Sequence, residues 1–199
     1  MSNYEICDLI ISSVAASSTF LAVIWVLFKE TLLARWRAPL LQRHIRMDMP
    51  YITKNFNKYY YHLGVSNDGK STALNCRGYI DAIYEYKEAA YERINNFIAI
   101  PISWAREDTL STFIEPGQEK LLDLGIVDEV VDISKRQHFF KILFKGYSDT
   151  SCLYSGKYRM DIMVYSENAK RLAVSLYLNW SGVWKKQYSE MLKTLIISN

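Results

Sequence analysis

The chain has 199 residues, half of them apolar, with 24 lysines and arginines against 21 acids. That length holds one domain of ordinary size and an appendage. A net charge of +3 argues against a dedicated nucleic-acid binder, whose basic residues would concentrate in one strong patch. Three cysteines (Cys7, Cys76, Cys152) and three histidines (His44, His62, His138) show no C-x-x-C pair and no zinc-finger spacing. They argue against a structural zinc site and a disulfide-stapled secreted fold. A single Cys76–Cys152 bridge stays open at this level.

The first element lies at 9–28, LIISSVAASSTFLAVIWVLF, which carries no charge. Twenty helical residues rise about 30 Å, the thickness of a bilayer core. Glu5 and Asp8 precede the run and Lys29-Glu30 follow it, which is unlike a cleaved signal peptide. The expectation is one uncleaved transmembrane helix, with 1–28 as tail and span. Lys29, Arg35, Arg37, Arg43 and Arg46 follow the span, and no basic residue precedes it. Basic flanks stay cytoplasmic, so the N-terminus is expected outside and the larger part in the cytosol, at a cytoplasmic (inner) membrane. Ser13 and Ser17, with Ala16 beside them, place small residues on the helix where a second span could pack closely. Self-association through Ser13, Ala16 and Ser17 is therefore expected.

Residues 29–54 read as a basic juxtamembrane linker. Leu32, Leu33, Trp36, Leu40 and Leu41 recur at helical spacing between arginines, with Pro39 expected to kink the piece. Arg37 and His44 match an R-x6-H ribonuclease spacing, but no helical bundle follows to carry that chemistry.

From Lys58 the period changes to two. Tyr59, Tyr61, Leu63 and Val65 share one face, and Asn67-Asp68-Gly69 supplies a turn. Leu74, Cys76, Gly78 and Ile80 alternate next. YEYKEAAYERINN reads as a helical or looped insertion, since it is rich in charges and helix formers. Pro101 assigns FIAIPISWA to an edge or bulge, and Pro116-Gly117 suit a type II turn. KLLDLGIV and HFFKILF read as buried strands. Tyr158, Met160, Ile162 and Val164 alternate with Arg159 and Asp161; Leu172 to Trp180 repeats the pattern with Ser175, Tyr177 and Asn179 outward. KKQYSEMLKTLII closes as a short amphipathic helix. About seven short strands over 55–199 argue a mainly β fold, an antiparallel immunoglobulin-like β-sandwich, with a small β-barrel as the rival.

The ordered stretches VSNDGKSTALNC, IPISWA, IEPGQEKLLDLGIV, GKYRMDIMVYSENAK and LYLNWSGVW resemble an immunoglobulin-like domain of uncharacterised bacterial membrane-anchored proteins. The resemblance spans about Tyr59 to Trp184. It implies a sandwich and a membrane anchor, and no activity.

Large rings at strand spacing are core candidates, so Trp104 and Trp180 are assigned inward. Tyr60, in the run Tyr59-Tyr60-Tyr61, and Trp184, past the last long strand, are the candidate interaction surface. Arg106, Glu107 and Asp108 read as a solvated loop, and Glu167-Asn168 as a hairpin turn. No catalytic, cofactor or metal residue is assigned. The expected function is a non-enzymatic, membrane-anchored binding or sensor module of a bacterial defence or envelope system, its protein or small-molecule ligand unknown. The alternative is an oligomerising pore effector gated by a ligand on the β domain.

Overall fold

The computed structural model describes residues 3–44, 51–95, 97–105, 107, 109–132, 137–143 and 152–198; the side chains of 3, 5–13, 15, 16, 30, 34, 35, 44 and 51 fall outside that description. The chain divides into two compact units, Met1–Ala38 and Pro39–Asn199.

The first unit is helical because nothing interrupts it: no glycine or proline occurs before Pro39. Helix α1 (Asn3–Leu27) passes into a π-helical turn (Phe28–Leu33) and then α2 (Ala34–Arg37). At the change of pitch the Thr31 hydroxyl donates to the Leu27 carbonyl at 2.5 Å, a back-bond that competes with the regular ladder. Among the described residues no helix is long and apolar enough to cross a membrane. Pro39 does not kink a longer helix. It stands past the helix end, because its ring and missing N–H cannot continue the ladder.

In chain order the strands of the second unit are β1 (Leu41–His44), β2 (Tyr51–Asn55), β3 (Lys58–Asn67), β4 (Ala73–Lys87), β5 (Ala90–Arg93), β6 (Ile100–Ile102), β7 (Thr112–Ile114), β8 (Glu119–Asp128), β9 (Phe140–Ile142), β10 (Cys152–Leu153), β11 (Gly156–Tyr165), β12 (Leu172–Trp180) and β13 (Leu195–Ser198); α3 (Tyr188–Thr194) precedes the last. One sheet runs β1-β3-β8-β9-β10, with β2 also on β3. The other runs β13-β12-β11-β4-β5, with β6 and β7 also on β4. Each pairing is antiparallel. Among the described residues the sheets keep separate strand orders, in a sandwich-like arrangement without closure into a barrel.

The inward residues are those the alternation assigns. Tyr59, Tyr61, Leu63 and Val65 of β3, Met160, Ile162 and Val164 of β11, and Val174, Leu176, Leu178 and Trp180 of β12 are buried in one core. The sheets approach so closely at Gly78 that a Cβ there would lie 2.4 Å from the Leu122 side chain. After β6 pairs with β4, the chain crosses to the other sheet. The Ser103 carbonyl accepts from Asp123 N at 2.9 Å, and Ala105 N donates to Leu121 O at 2.7 Å. Strands that change sheets in this way make the corners of sandwiches.

Several expectations are corrected. The sheet begins at Leu41, inside the stretch read as a linker to residue 54, because β1 and β2 both pair with β3. YEYKEAAYER is the end of β4 and β5, turned at Glu88 and Ala89 with φ 45° and 72°. Cross-strand pairing overrides the helix propensity of its glutamates and alanines. Asn75, at φ 50°, puts a bulge between Ala73 and Cys76, so Ala73 turns inward and Leu74 outward. The tail continues past α3 into β13, which pairs with β12. Cys76 and Cys152 lie on different sheets and no disulfide joins them.

Candidate interaction surfaces

The seven-stranded sheet turns a tyrosine-rich face outward. Register places Arg93, Tyr84, Arg159 and Tyr177 in one row across β5, β4, β11 and β12. Tyr86 lies opposite Tyr91 in the adjoining row. The rings pack edge to face: Tyr86 on Tyr91 at 5.1 Å and Tyr91 on Tyr177 at 5.6 Å between centroids. Lys157 Nζ lies 5.6 Å from the Tyr86 ring centre, and the Arg159 guanidinium lies 3.8 Å from that of Tyr84. Such stacking holds long cationic side chains flat against a stiff aromatic surface.

Asp161 anchors the arginine from the next row. Arg159 Nη2 donates to Asp161 Oδ2 at 3.3 Å, and its Nε faces Oδ1 at 3.3 Å as an ion pair without hydrogen-bond alignment. The Ser175 hydroxyl donates to Asp161 Oδ1 at 2.8 Å. Partial burial pulls the Arg159 pKa down. Asp161, Tyr84 and Tyr177 together outweigh it and hold the guanidinium above its usual value. Tyr86 and Tyr177 remain exposed, and Lys157 and Arg93 surround them with positive charge. The row was legible only in part. The alternation of β11 and β12 turns Arg159 and Tyr177 outward, but the β4 register that brings Tyr84 to Arg159 depends on a bulge beside Asp161.

The second surface is the end of the sandwich at the β2–β3 hairpin. A groove of about 500 Å³ opens between this hairpin and the loop after β8, walled by Phe56, Lys58, Tyr60, Asp128, Glu129 and Val130. Tyr60, named from sequence as a contact residue, is half-buried there. Trp184 behaves differently. It is half-buried against the core, with its ring 6.3 Å from that of Tyr59, so it supports the sandwich end from inside. Phe56, which sequence reasoning passed over, is 90% exposed at the hairpin tip.

The remaining candidates are placed as follows. The side chains of Ser13, Ala16 and Arg35, and the whole of Arg46, lie outside the described residues; Ser17, Lys29 and Arg37 are exposed and Arg43 is half-buried. Arg37 is on α2 whereas His44 is on β1, so the ribonuclease spacing does not fall on one helix. His62 Nδ1 lies 2.6 Å from Asp123 Oδ1 beside a bulge between β3 and β8. Glu107 is not merely solvated: its carboxylate pairs with Lys120, which holds its pKa below the usual range. Arg106 and Asp108 lie outside the described residues. Among the described residues no group of three or more histidine, cysteine or acidic side chains could hold a metal ion.

No family model matches the chain, and no curated protein does. Among solved structures the chain is similar to the archaeal flagellum of Methanospirillum hungatei strain JF1, at 11% identity over 92% of this chain and 96% of that one, with a TM-score of 0.40. A likeness at that level leaves the role of this chain to its own residues.

Proposed function

We propose that the chain is a membrane-anchored binding module whose recognition surface is the tyrosine–arginine face of the seven-stranded sheet. That face is the observation that carries the reading. Tyrosine and arginine are the residues that interfaces concentrate, because each gives large contact area and polar specificity for little lost freedom. Here Tyr84, Tyr86, Tyr91 and Tyr177 are already ordered against one another and against Arg159, so a partner meets a preorganised surface.

The anchor is supported by the character of α1. Residues 20–28 contain no polar side chain, and Phe20, Leu21, Val23, Ile24, Trp25, Val26 and Leu27 are all about half exposed or more. A helix apolar on all sides is covered by protein or by lipid. The charge-free stretch 9–28 supports lipid, and the basic residues after it support a cytosolic sandwich. The immunoglobulin-like reading of the sandwich belongs to the same proposal.

The test uses the full chain in bacterial membranes. Alkaline carbonate should leave it in the pellet, and a photo-cross-linker in place of Tyr177 should give discrete adducts. One in place of Thr53, an exposed residue of the other sheet, should not. Release into the supernatant would remove the anchor. Equal adducts at both positions would remove the assigned face.

A further inference from the structure

Phe56 occupies a position that a phenylalanine should avoid twice over. It is the first of two loop residues between Asn55 and Lys58, and its φ is 51°. Two-residue hairpins give that position to glycine, or to asparagine and aspartate, because a bulky side chain at positive φ is strained. The ring is also 90% exposed. Folding alone gains nothing from an aromatic held out at a strained tip, which points to a contact made outside the chain.

The surroundings define that contact. Val130 and Val131, on the loop after β8, are 61% and 41% exposed. Lys58 at the hairpin base stands 4.0 Å from Asp128, and Glu129 accepts from Asn57 Nδ2. The loop after β12 comes to the same end: Lys54 Nζ donates to the Lys186 carbonyl at 2.6 Å, and Tyr59 Oη to the same oxygen at 2.9 Å. It carries exposed Val183, Lys185 and Lys186. Four exposed lysines lie on these segments, and the two carboxylates beside the tip, Asp128 and Glu129, are each tied to a local partner.

We infer that this end docks on an anionic bilayer surface, with the Phe56 ring entering the headgroup–acyl boundary, Val130 and Val131 beside it, and Lys54, Lys58, Lys185 and Lys186 facing the phosphates. An apolar prong within a lysine collar matches the layered polarity of such a membrane, and each basic residue near the surface adds to the attraction. Conformational strain at Phe56 is offset when its ring leaves water. The site is built wholly from residues of the second unit, Pro39–Asn199.

The test uses residues 39–199, the second compact unit, whose buried core among the described residues lies between Leu41 and Leu195. Sedimentation with vesicles of phosphatidylglycerol and phosphatidylcholine should capture this fragment. Pure phosphatidylcholine should capture far less, and added salt should weaken binding. Phe56→Gly should lower binding roughly tenfold to a hundredfold, the factor that burying one phenylalanine supplies. Because glycine suits the positive φ, that variant stays folded, so its loss cannot be attributed to unfolding. Lys185→Glu with Lys186→Glu should remove most of the salt-sensitive part. Failure of the wild-type fragment to bind the anionic vesicles overturns the inference, as does unchanged binding by Phe56→Gly. Since the fragment lacks α1, either result stands apart from the anchor reading.

Discussion

The side-chain amide of Asn67 donates to the Ile114 carbonyl at 2.8 Å, joining the end of β3 to β7 in the opposite sheet. The same amide donates to Ser71 O at 2.8 Å, and its oxygen accepts from Leu40 N and Gly69 N, both at 3.0 Å. Asn67 is fully buried, and its backbone also bonds Gln118 and Gly117. The turn Asn67-Asp68-Gly69 is therefore a structural pin. It fixes the entry of the chain at Leu40, its own turn, and the Glu115–Gln118 turn, in which Gly117 takes φ 73°.

Replacing Asn67 with Leu keeps the branching and the number of side-chain heavy atoms and removes all four side-chain hydrogen bonds. The buried backbone groups it served then lose their partners, at about 1–3 kcal/mol for each group that finds no water. The expected loss is about 3–5 kcal/mol, at the upper end for a single substitution. Urea unfolding of the 39–199 fragment should show a lower midpoint with an unchanged slope. A loss below about 1 kcal/mol would mean that the four groups find other partners.

The core phase on β12 gives a paired test. Leu176 is 3% exposed, whereas Ser175 faces solvent and donates to Asp161. Leu176→Ala should cost about 2–5 kcal/mol through lost burial and a residual cavity. Ser175→Ala loses one exposed hydrogen bond and should cost under about 1 kcal/mol. Comparable thermal shifts in the two variants would contradict the observed register.

How much of this was readable in advance depended on burial. β3, β11 and β12 each have one face in the core, and their alternation shows it. β1 reads LQRH and β5 reads AYER, and both flank the long strands that define their sheets. Flanking strands carry polar residues to stay soluble, so the period-2 signal disappears where pairing makes the strand. The interaction face was hidden for a related reason. Tyr84 and Arg159 are 75 positions apart in the sequence, and their contact requires a register that no local pattern encodes. Tyr60 could be named because three consecutive tyrosines cannot all face inward. The packing of Trp184 on Tyr59 was not readable, because the two rings come from segments 125 positions apart.

The Arg159–Tyr84 stack should be measurable as a coupling. Arg159→Ala removes the guanidinium from the ring and frees Asp161; Tyr84→Ala removes the ring. A double-mutant cycle in the 39–199 fragment should give about 0.5–2 kcal/mol between them. Arg159→Lys should recover less than half of it, because an ammonium cannot lie flat on the ring while it contacts Asp161. Strict additivity would show that the two groups are neighbours without interaction.

The tyrosines of the core predict the response to alkali. Burial holds the Tyr158 phenol up at about 12 and raises Tyr61 further, against about 10 in an unfolded chain. Between those values the unfolded chain has released protons that the folded chain keeps. The stability these groups contribute is therefore fully present below about pH 10 and is lost as pH rises through their folded pKa values. Tyr61 is fully buried and its hydroxyl has no hydrogen-bond partner among the described residues. Tyr61→Phe removes a buried polar group that contributes nothing in return, so it should be neutral or stabilising by up to about 1 kcal/mol at neutral pH. It should also make the alkaline decline shallower, since one of the phenols that ionises only on unfolding is gone. Equilibrium unfolding at several pH values, with phenolate absorbance followed in parallel, measures both effects. A clear loss of stability in Tyr61→Phe at neutral pH would show that the hydroxyl is bonded after all, through water, and would remove the reason for its raised pKa.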